Sequence, residues 1–330
     1  MRADSVGEFL RAYSREVWNE KLTGRVEHYY GSNVIVHLSS GETKHGSDQV
    51  LADIVAWLAA FPDARVFLDD VIWSAGPGEY RTSVRETMVG RNTGPSQYGP
   101  PSGRRVVVSR IVNSRLHNDR FVEQWIEWDE IGLLRQLRLD ERQFAMDRED
   151  ASLESGVGDG LSPGVTGWEH GRMDSSLLDI GENLESEDLV RTAVAAVWNA
   201  RLPGAVSRFY AEDYRASLPG RRIFGPEEVQ GEVLMMLAAF PDLHLHVDDV
   251  LCREDHDGAH TSTRWTLLGT NTGPSHFAPP SNRYVRLTGI THHRIRDFRL
   301  QEGWTEYSEL SLLRQIAPPP ETARNENGDE

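Results

Sequence analysis

The same stretch of sequence occurs twice in this chain, and that limits its fold more than any other feature. WLAAFPDARVFLDDV at 57–71 answers to MLAAFPDLHLHVDDV at 236–250. GRNTGPSQYGPPSGRRV at 90–106 answers to GTNTGPSHFAPPSNRYV at 269–285, and IGLLRQL at 131–137 to ELSLLRQI at 309–316. Phe61 and Phe240 are 179 positions apart, as are Leu137 and Ile316, whereas Trp18 and Trp198 are 180 apart. One residue is therefore lost near the first loop of the second copy. A constant offset held over this length means two copies of one structural unit.

The order of elements repeats as well. Ser5 and Glu8 have the spacing of a capping box before a first helix running towards Trp18, and Ser186 is placed to cap its counterpart towards Trp198. A second short helix is expected at 24–31 and 203–212. A third begins near Ser47, where Leu51, Ile54, Val55 and Leu58 recur at helical spacing, with Pro226 opening the equivalent helix. Phe-Pro-Asp ends this helix in both copies, because proline restricts the residue before it and cannot extend a helix. Beyond that turn the period becomes two. Strands are expected near 79–90, 104–117 and 120–129, and again at 258–270, 283–296 and 299–308. The predicted architecture is α+β: two cone-shaped domains, each with helices packed on a curved antiparallel sheet. The expected boundaries are 1–140 and 186–320, with an exposed Gly/Ser-rich acidic linker at 141–185 and a disordered acidic tail at 321–330. Phe144, Trp168 and Leu177 are the linker hydrophobics that can dock locally.

Composition removes several classes of function. Fifty-one acidic residues face 35 basic ones, a net charge of -16, which opposes nucleic-acid binding. No run of apolar residues is long enough to span a membrane, and the first residues lack a signal-peptide core. The single Cys252 supplies neither an internal disulfide nor a thiolate metal site. A cytoplasmic location is the default expectation. No P-loop or dinucleotide fingerprint sits in its required context, so no cofactor is expected. No metal is expected either: His244, His246 and Asp248 alternate on a strand face opposite the apolar one, which solvent exposure explains.

The candidate chemistry lies in the last strand of the first copy. Glu123, Trp125, Glu127 and Asp129 share one strand face by period-two spacing. If that face lines a cavity, Trp125 can pack against a planar substrate. Burial would then raise the pKa of Asp129 or Glu127 into the range useful for proton transfer from carbon. His37 can orient a substrate or shuttle a proton, and Arg85 can meet a developing enolate. The plainer reading has Asp129 capping the turn at 131–137, Arg85 in a structural ion pair and Trp125 in the core. In the second copy Arg264, Trp304 and Glu306 are the equivalent pocket candidates.

AAFPD, the arginine of SVRETMVG, GPPSGRRV and FVEQWIEWDEIGLLRQL, with their second-copy counterparts, resemble the SnoaL-like polyketide cyclases within the nuclear-transport-factor-like superfamily. The resemblance covers about 16–138 and 196–317. It implies ring closure by an intramolecular aldol reaction without metal or organic cofactor, with Asp129 as the general acid/base and His37 matching a histidine common in the family. The second copy has Ser308 and Ser217 at those places, which implies a degenerate site. The expected function is a cyclase or isomerase acting on an apolar, polyketide-like small molecule. The alternatives are a non-catalytic small-molecule binder, an interaction protein built as an internal pseudodimer that can pair again as a homodimer, and an epoxide hydrolase.

Overall fold

The computed structural model of the chain describes residues 5–146, 184–275 and 279–316. Trp168, Leu177, the tail at 321–330 and most of the expected linker lie outside the described residues.

In the N-terminal domain, helix α1 (Val6–Tyr13) runs into a π-turn at Ser14–Asn19. A short helix α2 (Val26–Tyr29) leads to β1 (Tyr30–Leu38) and β2 (Thr43–His45), then to α3 (Ser47–Ala60). Strands β3 (Arg65–Gly76), β4 (Glu79–Arg91), β5 (Arg105–His117) and β6 (Arg120–Trp128) follow, and α4 (Glu130–Leu137) closes the unit. A further helix, α5 (Glu141–Met146), occupies the first residues of the expected linker and stacks Phe144 on Tyr98. The C-terminal domain repeats the series as α6 (Ser186–Val194), α7 (Val206–Phe209), β7 (Tyr210–Leu218), β8 (Arg221–Phe224) and α8 (Gly225–Ala239). It ends with β9 (His244–Asp255), β10 (Gly258–Thr270), β11 (Tyr284–Arg296), β12 (Arg299–Tyr307) and α9 (Glu309–Ile316).

Each domain is a six-stranded sheet with helices on one face, in the orders β2-β1-β6-β5-β4-β3 and β8-β7-β12-β11-β10-β9. The sheets are antiparallel except where β1 meets β6 and β7 meets β12, which run parallel. Two sequence expectations shift by a residue or more. The second helix stops at Tyr29, where the chain begins to pair with β6. The Ser5 side chain makes no capping bond to α1, and Ser186 lies inside α6 with Glu185 at the N-cap. Tertiary packing has set these ends where local signals pointed slightly elsewhere.

The repeated NTGPS and PPS motifs are structural ties. Asn92 donates to the Ala60 carbonyl at 3.3 Å and accepts from the Ser102 N–H at 2.7 Å and hydroxyl at 2.9 Å. Asn271 does the same with Ala239 and Ser281. One side chain thus joins the end of the α3 or α8 helix to the loop entering the third long strand. The following glycine has no space for a side chain: a Cβ on Gly94 would lie 1.9 Å from the Ala59 carbonyl oxygen, and one on Gly273 1.7 Å from that of Ala238. Gly94→Ala and Gly273→Ala should each destabilise the protein by about 1–3 kcal/mol through this overpacking, a loss that urea denaturation will measure.

The domains meet through the sheet faces opposite their helices. The contacts come in pairs related by the offset of the repeat. Arg85 lies over Trp304 and Arg264 over Trp125, each with 4.2 Å from the guanidinium carbon to the ring centroid. The Ser109 hydroxyl donates to Glu306 at 2.5 Å, and its counterpart Thr288 donates to Glu127 at 2.6 Å. Arg81 pairs with Asp249 at 2.7 Å, and its counterpart His260 with Asp70 at 3.0 Å.

Candidate functional site

Strand alternation in the N-terminal domain separates two environments. The outer side chains of β5 and β6 face the C-terminal domain. The inner ones (Arg110, Val112 and Ser114 on β5, and Gln124, Ile126 and Trp128 on β6) line a cavity of about 180 Å³ beneath α1 and α3. A cavity of roughly 150 Å³ suffices for a benzene ring, so this one has room for a small molecule of one or two rings. Its wall is largely apolar, with Trp18, Phe121, Trp57 and Trp128 among its members.

Two polar constellations interrupt that wall. The first is a pair. Glu86 on β4 stands directly opposite Arg110 on β5 in the strand register and accepts a hydrogen bond from its Nε. Glu86 is only 5% exposed, and burial raises its carboxyl above the ordinary value while the Arg110 charge opposes the rise. The Arg110 guanidinium also lies 4.7 Å over the Trp18 ring, where a cation and a π face attract. The π-turn at Ser14–Asn19 brings Trp18 to that position; such turns are common at functional sites. The second constellation is a chain of hydrogen bonds. The Trp18 indole donates to the Tyr13 hydroxyl at 3.1 Å, and Tyr13 and Tyr30 hydroxyls meet at 2.8 Å. Tyr30 donates to the Gln124 carbonyl at 3.0 Å, and the Gln124 amide to Ser114 at 3.0 Å. Burial raises both tyrosines, Tyr30 well above its ordinary value, so both hold their protons and can donate them.

The sequence-predicted residues occupy the opposite face. Glu123, Trp125 and Glu127 do share one face of β6, which turns to the C-terminal domain: Glu127 is buried there, while the half-buried Glu123 and Trp125 line, with Arg81 and Arg264, a second pocket of about 310 Å³ and not the inner cavity. Asp129 is the N-cap of α4: it accepts from the Gly132 N–H at 2.8 Å and, across the domain boundary, from the Gly220 N–H at 3.1 Å. Burial raises its carboxyl, and these two bonds oppose the rise. His37 stacks on Trp125 with 5.2 Å between ring centroids and bonds Glu123 at 3.0 Å. Arg85 and Arg264 cover tryptophans across the domain boundary and approach Asp69 and Asp248 at 3.6 Å and 3.8 Å. Trp304 and Glu306 complete the same boundary. The structure therefore gathers these nine residues in one region and separates them from the inner cavity by the thickness of a sheet. Their face therefore lines a pocket at the domain boundary, through Glu123, Trp125 and Arg264, and not the inner cavity beneath the helices.

Glu86 and Arg110 were not singled out by the sequence, yet the repeat carries a signal for them. At the 179 offset, Glu86 faces Trp265, Arg110 faces Gly289 and Gln124 faces Gly303. The structure shows what these exchanges do. A Cβ on Gly289 would lie 2.1 Å from the Trp265 ring, and one on Gly303 2.1 Å from the Tyr214 hydroxyl. Two large aromatics thus occupy, in the C-terminal domain, the places where the N-terminal domain keeps Arg110 and Gln124. Trp265 is held there by its indole N–H donating to Thr291 at 3.0 Å. Among the described residues, no group of three or more His, Cys, Asp or Glu stands in positions to hold a metal ion, and no helix is long and apolar enough to cross a membrane.

The family profile of the SnoaL-like polyketide cyclases matches residues 8–137 and 188–316. The chain belongs to this family, with two domains of its fold in tandem. Family membership supports a cyclase- or isomerase-like function on a small apolar ligand. Among solved structures, TsrD from Streptomyces laurentii is 26% identical over 42% of this chain and 97% of its own, with a TM-score of 0.36. A SnoaL-like polyketide cyclase from Agrobacterium tumefaciens is 20% identical over 40% of this chain and 96% of its own, with a TM-score of 0.33. A Catenulispora acidiphila protein with a ketosteroid isomerase-like fold, in complex with trimethylamine, is 20% identical over 41% and 96%, with a TM-score of 0.34. A search of curated proteins finds no match.

The geometry generates two predictions. Trp265→Ala should cost about 3–5 kcal/mol, as for emptying a core aromatic site, when followed by chemical denaturation. Glu127 gives a pH dependence. Burial pushes its carboxyl up to about 8, with Thr288, Arg286 and Arg264 opposing. The folded protein thus holds this proton more tightly than the unfolded chain. Its contribution to stability is complete below the ordinary value of 4.5 and is lost as pH rises through about 8. Denaturation between pH 5 and 9 should show stability falling by up to about 1.4 kcal/mol per pH unit for this one proton, and Glu127→Gln should flatten the slope.

Proposed function

We propose that the N-terminal cavity is the working site, and that it catalyses ring closure or isomerisation of a small apolar carbonyl compound by proton transfer. The observation that carries this reading is the placement of a buried carboxylate–guanidinium pair and two proton-holding tyrosines in an otherwise apolar, aromatic cavity. In ionised form Glu86 would take a proton from the carbon beside a carbonyl. Arg110 keeps that carboxylate charged inside an apolar wall, while burial keeps it basic. The Tyr13 hydroxyl, turning from Tyr30, or the Tyr30 hydroxyl, turning from the Gln124 carbonyl, would donate to the enolate oxygen as charge develops. In the cyclase case the enolate carbon then bonds to a second carbonyl carbon of the same molecule. The alkoxide so formed regains the proton from Glu86, which returns to its starting state. In the isomerase case the proton returns to a different carbon. Asp129, with its oxygens committed to Gly132 and Gly220, acts as a helix cap and domain tie. The C-terminal domain, with Trp265 and Tyr214 inside it, serves as the partner against which the working sheet is braced, so that the chain forms its own pseudodimer.

The probe is 2-tetralone, a planar bicyclic ketone with exchangeable protons beside its carbonyl. Proton NMR in deuterated buffer should show the protein accelerating exchange at that carbon. Glu86→Gln should lower the acceleration by roughly 10²–10⁴-fold, the usual contribution of a positioned base. Asp129→Asn should leave it within a few-fold of wild type. Full activity in the Glu86 variant, or its loss in the Asp129 variant alone, would return the catalytic role to the outer face. Tight binding of the ketone with no exchange would favour the non-catalytic binding reading.

A further inference from the structure

We infer that Glu306, supplied by the C-terminal domain, is a positioning residue for the N-terminal cavity, acting through Ser109 on its chain neighbour Arg110 and so on Glu86. The inference rests on the reading of that cavity as the working site.

Ser109 and Arg110 are successive residues of β5, so their side chains leave opposite faces of the sheet. Arg110 points into the cavity, where it bonds Glu86 and covers Trp18. Ser109 points into the domain boundary, where its hydroxyl donates to Glu306 at 2.5 Å. The Ser109 carbonyl also accepts the Asp129 N–H at 3.2 Å, and Asp129 is itself tied to Gly220 of the other domain. The segment of β5 that presents Arg110 is thus gripped twice from the C-terminal side. The opposing bond, Thr288 to Glu127, anchors the β6 segment between the cavity residues Ile126 and Trp128. A guanidinium on a long, flexible stem needs a fixed base to hold a carboxylate in one geometry, and this boundary supplies one.

The state of the Glu306 carboxyl fits the role. It is 5% exposed, and its Oε2 is buried without a hydrogen-bond partner. Burial raises the group well above its ordinary value; the Ser109 hydroxyl and Arg85 oppose the rise, and the neighbouring carboxyls of Asp129 and Glu127 add to it. Neutral Glu306 accepts from Ser109 through one oxygen without placing a bare charge in the boundary. Glutamine reproduces that shape and that acceptor.

The test uses the full-length protein and follows the Arg110 Nε–H resonance by ¹H–¹⁵N NMR, with no ligand needed. In Glu306→Ala this N–H should lose about tenfold or more of its protection from solvent exchange, as a locally loosened contact does. Glu306→Gln should restore it. In wild type, protection should fall as pH rises and Glu306 ionises, whereas the glutamine variant should show no such fall. If Glu306→Ala does not fold, Ser109→Ala removes the same bond from the other side and should reproduce the loss. Unchanged protection at Arg110 in a folded Glu306→Ala or Ser109→Ala protein would overturn the inference. The 2-tetralone exchange assay separates this from the parent reading: a responsive Arg110 resonance in a protein that never accelerates exchange would sink the catalytic proposal and leave the positioning role standing.

Discussion

Two sheet faces buried against each other are the constraint on which this structure depends. A lone antiparallel sheet of this kind covers one face with helices and leaves the other to solvent. Here the second face carries arginine, glutamate and tryptophan, and it meets its own repeat. Each guanidinium lies on the other domain's tryptophan, and each buried glutamate accepts from the other domain's hydroxyl. Burying carboxyls costs free energy unless they are bonded or neutral. The reciprocal pattern bonds one oxygen of each and holds both groups in the protonated range.

That arrangement also explains how far the sequence could be read. The fold was legible because the repeat, the Phe-Pro-Asp helix stop and the long alternating strands are local signals. Which face of β6 lines the cavity was not. Both faces mix aromatic and polar residues: Trp125 and Glu127 on one, Gln124 and Trp128 on the other. Alternation identifies which residues share a face, but it cannot say what covers that face. Irregularities add to the difficulty. The ladder skips Val122 between Phe121 and Glu123, so Phe121 and Gln124 both line the cavity although their positions differ in parity. Similar shifts at Asp69 and Asp248 turn those carboxylates towards Arg85 and Arg264.

The two copies have diverged on the inner face, while the centre of the outer face has stayed alike and its margins have changed at His37/Ser217, Arg81/His260 and Asp129/Ser308. Arg85/Arg264, Trp125/Trp304, Glu127/Glu306 and Ser109/Thr288 keep their chemistry because each contacts a residue of the other domain, and each such contact is repeated by the two counterparts. Glu86/Trp265, Arg110/Gly289 and Gln124/Gly303 do not. The exchanges on the inner face are concerted: glycine appears where an aromatic ring or hydroxyl needs the volume. A cavity filled in this way conserves core volume, which a packed interior tolerates far better than an empty one. The C-terminal domain thereby fills with Trp265 and Tyr214 the places that Arg110 and Gln124 hold in the other domain, and keeps the face that braces its neighbour.

The most direct test of this account is a crystal structure of the protein with 2-tetralone bound. The account predicts density for one molecule in the N-terminal cavity, its carbonyl within hydrogen-bond distance of the Tyr13 or Tyr30 hydroxyl and its enolisable carbon against Glu86, with Trp265 and Tyr214 unmoved in the other domain. Density at the domain boundary beside Asp129 and Glu127, or inside the C-terminal domain, would contradict it.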